Sequence, residues 1–499
     1  MSSIDKSLFS LVNPLVLMIP HLMELVRLAV PNAASFIAMH VGPVSTVVFM
    51  SGLDDPAALA AIGLGSLVSN VLGFSIGIGL TSVLDTLVSQ AIGSGNHESA
   101  LVALNRARIV SCIVSIPAFI ILRSTESILT LLGQESETAR LAGVYVSWSA
   151  MGLLPSFLFF SLAAYLRAAR YPTPPLIVNS ICSVLHVILA AVFILMFRWS
   201  LFGAGVAVAV TAWSRWIMLE AHVSNTMHVS SCIAFVQVFG SAQARQGVFN
   251  GMRGFLAQAV PSAILMWSEW WAYEAQALIA GWISVPALAA NVVCSNMVTV
   301  TYMIPMGLAQ AAATVVGSSL GAGKPESARY SAVLAVALTL AVMVSLALLV
   351  LSFRESLLSL YGDDVREPLG QALTVVAGFC IVDGLQGVLE GILRGMRMQQ
   401  VAVKFKLIAM LAIRLPLGFL FGLLFGGGVS GLWLGAVIGM SFSSSVYLAR
   451  IIKADFSACA IEAVRNGCEG LLGTAELGAE APAEMESPSE FVLLAQGHS

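Results

Sequence analysis

Long apolar segments separated by short polar turns recur along the chain. A bilayer core of about 30 Å is crossed by roughly 20 helical residues, and each apolar segment is at least about that long. The pattern therefore predicts an all-α polytopic membrane protein with about twelve transmembrane helices. These are placed near residues 22–50, 57–92, 101–122, 139–163, 174–197, 203–222, 256–283, 287–315, 330–352, 368–392, 402–425 and 427–450.

Composition excludes an ordinary soluble protein. The 499 residues are 58% hydrophobic and only 10% charged, whereas soluble domains carry about 25% charged residues. The seven cysteines are scattered, so neither a disulfide framework nor a metal site is predicted.

Polar segments divide the chain into two halves. Residues 223–254 read as a cytoplasmic linker between an N-terminal lobe at 22–222 and a C-terminal lobe at 255–452. Residues 1–21 are assigned to a cytoplasmic N-terminus. The segment 453–499 is rich in Ala, Glu, Gly and Ser and is predicted to be an acidic, disordered tail.

Basic residues concentrate on one side of the predicted bundle, near the even-numbered turns and the C-terminus, as with Arg167, Arg170, Lys324, Arg397 and Lys453. Short cytoplasmic loops of membrane proteins carry excess Lys and Arg. We therefore predict that both termini are cytoplasmic.

The two halves repeat each other at a nearly constant spacing. Gly79-Leu80 matches Gly307-Leu308 at an offset of 228, and Leu166-Arg167 matches Leu393-Arg394 at an offset of 227. Each repeat holds six spans, so both enter the membrane from the same side. Transporters built from such repeats bind substrate near the midplane and alternate access by rocking of the halves.

The seventh span contains two acids, Glu269 and Glu274. A carboxylate near the membrane centre costs about 2.5–3.5 kcal/mol on insertion scales, so the default prediction is a water-filled cavity or ion pathway. On a helix with 100° per residue the two acids are 140° apart, so they cannot both point at one spot. Glu269 shares a face with Tyr273, whose hydroxyl is a candidate hydrogen-bond donor to it.

Asp383 and Glu390 lie seven residues apart on one stripe of the tenth span, with Gly387 between them. This spacing permits a proton relay. Arg394 follows Glu390 by four residues, an order that favours an ion pair, and the salt bridge is the preferred prediction.

Asp85 in the N-terminal half stands where the second repeat has Ala313. It is predicted to be either a second ion site or a hydrogen-bonding group between helices. Pro31 and Pro305 remove helical donors and are predicted to bend spans one and eight, the second of which would be a gating hinge.

Five motifs occur in order across roughly residues 20–450. They read GLTSVLDTLVSQAIGSGN (79–96), TESILTLLGQESETARLAGVY (125–145), EWWAYE (269–274), YMIPMGLAQAAATVVGSSLGAGKPESAR (302–329) and VDGLQGVLEGILRG (382–395). The chain closely resembles the multidrug and toxic compound extrusion (MATE) family, in its animal and plant branch.

The resemblance implies two six-helix lobes in a V shape and antiport of organic cations or xenobiotics against protons. It also implies a proton site at Glu269, Glu274 and Asp383. The animal transporters carry a further acid where this chain has Asn296, so here the chain is similar to the plant members. Glu390 also departs from the plant pattern.

The candidate cavity residues include rings that could bind a flat cation by cation–π attraction, about 1–2 kcal/mol each when dry. The set is Trp270, Trp271, Tyr273, Asn296, Tyr302, Asp85 and Glu390.

Two alternatives of the transporter class stay open. One is export of organic acids or conjugated metabolites, for which Arg215 and Arg414 are the candidate bases, and the other is a lipid-linked sugar flippase of the wider superfamily. An intramembrane enzyme is not supported because the hydrolase, metalloprotease and nucleotide-binding motifs are absent.

No cofactor is predicted beyond a coupling proton or sodium ion. The predicted partners are a small-molecule cargo and membrane lipid, with no nucleic acid, and the protein is predicted to act as a monomer. The predicted location is the plasma membrane or a vacuolar or other acidic organelle membrane.

Overall fold

The computed structural model describes residues 3–53, 55–227 and 242–469, and every regular element in these ranges is a helix. Twelve long helices follow the predicted order. They are α1 (Ser3–Ser51), α2 (Pro56–Gly93), α3 (His97–Arg123), α4 (Ser136–Ala168), α5 (Thr173–Met196), α6 (Ser200–Met227), α7 (Met252–Ile283), α8 (Val285–Gly321), α9 (Pro325–Ser352), α10 (Asp363–Gly395), α11 (Gln399–Leu424) and α12 (Gly428–Lys453).

Eleven of these helices are long and apolar enough to cross a membrane. The twelfth, α7, has 32 residues but no equally apolar stretch, because Glu269, Glu274 and Gln276 interrupt its second half. The polytopic all-α prediction is therefore confirmed, and the one long helix of the described residues that is not among these eleven contributes Glu269 to the candidate site.

The repeat is visible in the backbone of corresponding turns. Gly95 and Gly323, 228 positions apart, both have positive φ, at 76° and 69°. Arg170 and Arg397, 227 positions apart, do so at 68° and 63°. The left-handed region costs glycine little and is uncommon for arginine, so the two halves share even an unusual turn.

The two lobes meet where α2 crosses α8. A Cβ atom added to Gly93 would lie 2.1 Å from the Ser318 carbonyl oxygen, and one added to Gly321 would lie 2.2 Å from the Gln90 carbonyl oxygen. The two contacts are related by the 228-residue offset. Only glycine permits such a close backbone approach, so the crossing is reciprocal and specified by sequence.

This crossing lies at the end of the bundle that holds the turns with Arg170, Lys324 and Arg397 and the end of α12 at Lys453. We call it the basic end. A side chain also joins the lobes there, because Arg170 Nη2 donates to Ser318 Oγ at 2.7 Å. Within the C-terminal lobe, Arg397 Nε donates to Gln258 Oε1 at 3.1 Å.

Two segments that were assigned to the N-terminus and to the linker contain helical residues. Helix α1 begins at Ser3, inside the segment assigned to the N-terminus. The predicted linker contains a helix, Ala242–Asn250, whose Val248 carbonyl oxygen accepts from Arg106 Nε at 2.9 Å. Residues 228–241 lie outside the described ranges.

The predicted disordered tail begins with a helix, α13 (Phe456–Glu469). Its buried Ala460 and Ala463 pack in one cluster with Leu320, because its small residues recur on one face of an amphipathic helix. The disorder prediction is therefore wrong for 456–469, and residues 470–499 lie outside the described part of the chain.

Both prolines named as bending points sit inside continuous helices. Helix α1 runs through Pro31, and α8 runs through Pro305. Two residues after Pro305, a Cβ atom at Gly307 would lie 2.6 Å from the backbone nitrogen of Ala33. The hinge stays a prediction, located where α8 touches α1.

Candidate substrate and ion site

A buried lysine organises the charges of the C-terminal lobe. Lys406 Nζ donates to Glu269 Oε2 at 2.7 Å and to Glu390 Oε2 at 2.8 Å. The three side chains are only 2%, 10% and 12% exposed, so the cluster is nearly dry. Buried charges of this kind are costly unless they are paired.

Three helices supply this cluster. Glu269 comes from the middle of α7, Glu390 from the last part of α10 and Lys406 from the first part of α11. Since α10 and α11 are consecutive, their short connection brings Glu390 and Lys406 together. The contact with Glu269 joins residues 137 positions apart.

Asp383 lies on the same stripe of α10 and is 2% exposed. It is electrostatically attracted to Arg414 and Lys406 and repelled by Glu269 and Glu390. Its Oδ1 atom has no hydrogen-bond partner among the described residues. A buried polar atom without a partner is rare in a finished core, so this oxygen is a candidate acceptor for a proton or a ligand.

Tyr302 of α8 reaches the space between these acids. A Cβ atom at Gly387 would lie 2.8 Å from the Tyr302 hydroxyl oxygen, so glycine at this position makes room for the phenol. The Tyr302 side chain also interacts electrostatically with Lys406, Glu269 and Asp383. Gly387, which lies between Asp383 and Glu390 on the stripe, therefore leaves the space that Tyr302 fills.

Arg414 is a second buried base, 1% exposed. Its Nη2 donates to Gln276 Oε1 at 3.0 Å, and its guanidinium lies 4.1 Å from the centre of the Tyr273 ring. A π-helical stretch, Ile408–Arg414, separates it from Lys406. Such stretches add a residue to a turn and often mark functional sites, and this one changes the direction in which Arg414 points.

Two predicted contacts are wrong. Glu390 pairs with Lys406, while Arg394 Nη1 lies 3.7 Å from Asp85 Oδ2. The predicted bond from the Tyr273 hydroxyl to Glu269 is also not formed in the described structure, where Tyr273 stacks on Arg414 and Glu269 binds Lys406. In both cases a base from another helix replaces the local partner.

Lys406 itself was missed by sequence reasoning, which grouped it with the cytoplasmic bases around the turn before α11. The sequence did carry a weak signal: Lys404 and Lys406 are two residues apart, a spacing that places them on different faces of one helix. In the structure Lys404 is exposed and Lys406 is buried.

The remaining candidates lie outside the contacts of Lys406. Glu274 is half-buried and forms no ion pair in the described part of the chain, as its 140° separation from Glu269 predicts. Trp270 is half-buried, Trp271 is 44% exposed, and Asn296 is exposed on α8.

Asp85 lies at the junction of the lobes. It is fully buried, and the side-chain amide of Gln310, oriented to satisfy both partners, donates to its two oxygens at 2.9 and 2.7 Å. With Arg394 at 3.7 Å, both neighbours belong to the C-terminal lobe. Of its two predicted roles, the bond between helices is the one the geometry displays.

Neighbouring polar contacts continue this junction along α2. Thr86 Oγ1 donates to the Arg394 carbonyl oxygen at 2.7 Å and accepts from Gln399 Nε2 at 2.7 Å. Gln90 Nε2 donates to the Gly395 carbonyl oxygen at 3.0 Å. The C-terminal end of α10 and the N-terminal end of α11 are therefore hydrogen-bonded to α2, one turn beyond Glu390.

No cluster of His, Cys, Asp and Glu in the described ranges could hold a metal ion.

Comparison with known proteins assigns the chain to a family. The profile of the MatE family matches residues 31–192 and 261–420. "Multidrug and toxin extrusion protein 2" of Mus musculus is 30% identical over 430 residues, which are 84% of this chain and 72% of that protein. "Protein DETOXIFICATION 17" of Arabidopsis thaliana is 30% identical over 402 residues, 80% of this chain and 83% of that protein.

Solved structures share the fold. The eukaryotic MATE transporter AtDTX14 superimposes with a TM-score of 0.82 at 24% identity, covering 90% of this chain and 99% of that one. The family profile, the apolar helices and the relatives, which are transporters rather than enzymes, give one conclusion: the chain is an integral membrane transporter of small molecules that belongs to the MatE family of multidrug and toxin extrusion proteins.

Proposed function

We propose that this protein exports organic cations in exchange for protons, by alternating access, through the charged site of its C-terminal lobe. The observation that carries the proposal is the set of three buried acids, Glu269, Glu390 and Asp383, which outnumber the two buried bases, Lys406 and Arg414. With all five ionised, the site has an excess of one negative charge. A proton or a cargo cation supplies the missing positive charge.

Competition between these two ligands is the basis of antiport. A carboxylate binds either a proton or the positive charge of a nearby cation, and each weakens the binding of the other. Asp383, with one oxygen that lacks a partner in the described structure, and Glu269, with one oxygen held by Lys406, are the proposed carriers. The half-buried Glu274 is a proposed supporting acid near the cargo.

Aromatic groups near the acids favour a cationic organic cargo. Tyr302 projects between Asp383 and Glu390, and Trp270 and Trp271 follow Glu269 on α7. An aromatic face attracts a cation by about 0.5–2 kcal/mol, depending on its exposure to water. An anionic cargo is less well supported, because Glu269, Glu390 and Gln276 already engage both bases.

The structure corresponds to a state closed at the basic end, because α2, α8 and the ends of α10 and α11 are joined there. We place that end, and both termini, in the cytoplasm because Lys and Arg are enriched in cytoplasmic turns. The plasma membrane or an acidic organelle would supply the proton gradient. One chain contains the whole site, and we propose that it works as a monomer.

The test is uptake of labelled tetraethylammonium into proteoliposomes under an imposed pH gradient. Glu269→Gln and Asp383→Asn should each reduce gradient-driven uptake at least tenfold. Glu137→Gln is the matched control, because Glu137 is an exposed acid that pairs only with Arg140 at the surface among the described contacts. Normal uptake by folded, inserted Glu269→Gln and Asp383→Asn proteins would refute the proposed site. Repeating the uptake assay with a sodium gradient in place of the pH gradient identifies the coupling ion.

A further inference from the structure

The pairing of Lys406 leads to an inference about cargo charge, which rests on the proposed cation antiport. We propose that Lys406 is a specificity-determining residue that holds the site at one excess negative charge, so that the transporter prefers a cargo with a single positive charge over a dication. Lys406 is, in effect, a permanent cation of the site. It occupies the place between Glu269 and Glu390 where a second cargo charge would otherwise bind.

The geometry shows how this charge is shared. One ammonium donates to one oxygen of each of two carboxylates, at 2.7 and 2.8 Å, so Lys406 neutralises one of them in net terms. The other base, Arg414, attracts Asp383 and is held by Gln276 at 3.0 Å. Counting two bases against three acids leaves one negative charge, which Asp383 and the two glutamates share around Lys406.

The N-terminal lobe shows that the fold itself does not need these charges. At the repeat offset of 227, Lys406 corresponds to Asn179, Glu390 to Ala163 and Asp383 to Ser156. Asn179 is buried like Lys406, but its Nδ2 donates to the Ser35 hydroxyl at 2.8 Å. The same helical scaffold thus packs around neutral groups in one lobe and around a charged cluster in the other.

Specificity follows from electrostatic balance. A monocation completes the charge of the site, whereas a dication brings a second charge that no free carboxylate of the cluster balances in a nearly dry environment. Specificity often depends on such a penalty against the wrong ligand. If Lys406 becomes neutral, both glutamates lose their internal cation and the penalty against a dication disappears.

The test compares binding of tetraethylammonium, with one charge, and methyl viologen, with two, by the purified full-length protein. Lys406→Met should raise the ratio of methyl viologen to tetraethylammonium affinity at least tenfold. Lys406→Arg keeps the charge and should keep the wild-type ratio, whatever its affinity. Lys404→Met is the matched control, because Lys404 is exposed two residues away.

A charge-restoring pair separates electrostatics from folding. Glu390→Gln leaves Glu269 and Lys406 as a neutral pair and should weaken tetraethylammonium binding at least tenfold. The double variant that adds Lys406→Met restores one negative charge and should recover that binding. An unchanged affinity ratio in folded Lys406→Met, or no recovery in the double variant, would overturn the proposal for Lys406. A wild-type protein that binds neither cation would instead overturn the cation transport on which it rests.

Discussion

Thr86 offers a test of the junction that closes the basic end. Its hydroxyl oxygen takes part in two hydrogen bonds between the lobes, to the Arg394 carbonyl oxygen and from Gln399 Nε2, both at 2.7 Å. Thr86→Ala removes both. Its counterpart in the repeat, Thr314, makes one longer contact between the lobes, 3.5 Å from its hydroxyl to the Arg167 carbonyl oxygen, and one bond within α8, to the Gln310 carbonyl oxygen at 3.0 Å. Thr314→Ala is therefore the matched control.

The magnitude follows from these contacts. A hydrogen bond contributes about 0.5–1.5 kcal/mol net, so Thr86→Ala should destabilise the closed basic end by about 1–3 kcal/mol. That free energy corresponds to a roughly 5- to 150-fold rise in the ratio of the open to the closed state. Thr314→Ala should change the ratio less than about fivefold, because a 3.5 Å contact is a weak hydrogen bond.

Spin labels at Glu98→Cys and Glu326→Cys report the separation of the lobes. Both residues are exposed at the basic end and are related by the 228-residue offset. In a background without native cysteines, pulsed electron paramagnetic resonance should show a larger population of long distances for Thr86→Ala than for wild type. Equal distance distributions for Thr86→Ala and wild type, or a larger effect of Thr314→Ala, would refute this reasoning.

Three further predictions concern the same junction. Asp85→Ala leaves Gln310 and Arg394 without their buried partner and should lower the free energy of unfolding by about 3 kcal/mol or more, and a melting temperature equal to wild type would contradict this. Gly93→Ala places a Cβ atom 2.1 Å from a carbonyl oxygen and should increase the long-distance population of the spin labels, whereas Gly63→Ala, with open space around it, should not. Burial and two nearby acids raise the pKa of the Cys459 thiol. Its labelling by a maleimide, followed by peptide mass spectrometry, should therefore be slower than that of an ordinary thiol at pH 7 and should accelerate above pH 9. A labelling rate at pH 7 equal to that of a free thiol would contradict the docking of α13.

The arrangement of helices was predictable because membrane helices are long, apolar and separated by polar turns. All twelve predicted spans correspond to helices. The offset of 228 reappears in the matched backbone of Gly95 and Gly323, and the offset of 227 in that of Arg170 and Arg397. The angular argument for α7 also succeeded, since Glu269 reaches Lys406 and Glu274 does not. These features depend on local geometry, which the sequence determines directly.

The partners of the acids were not predictable from local spacing. Glu390 has Arg394 one turn away, yet it binds Lys406 of the next helix, and Arg394 turns to Asp85 in the other lobe. A helical wheel treats each helix alone, whereas the choice among bases depends on how three helices pack. The π-helical stretch before Arg414 further shifts the face on which that base lies.

Small residues were also informative only in part. Gly93 and Gly321 match at the 228-residue offset of the repeat. The sequence does not reveal that Gly93 faces the Ser318 carbonyl oxygen and Gly321 the Gln90 carbonyl oxygen. The helix α13 was hidden for a different reason: its composition is similar to that of the acidic tail, and its buried face consists of alanines such as Ala460 and Ala463.

The measurement that tests the central claim most directly is proton release on cargo binding. Tetraethylammonium is added to the purified protein in weakly buffered detergent solution, and a pH indicator follows the protons. If proton and cation compete for the acids around Lys406, the wild-type protein should release on the order of one proton per cation bound. The double variant that combines Glu269→Gln and Asp383→Asn should release almost none. Cation binding by wild type without proton release would contradict the exchange mechanism proposed for this site.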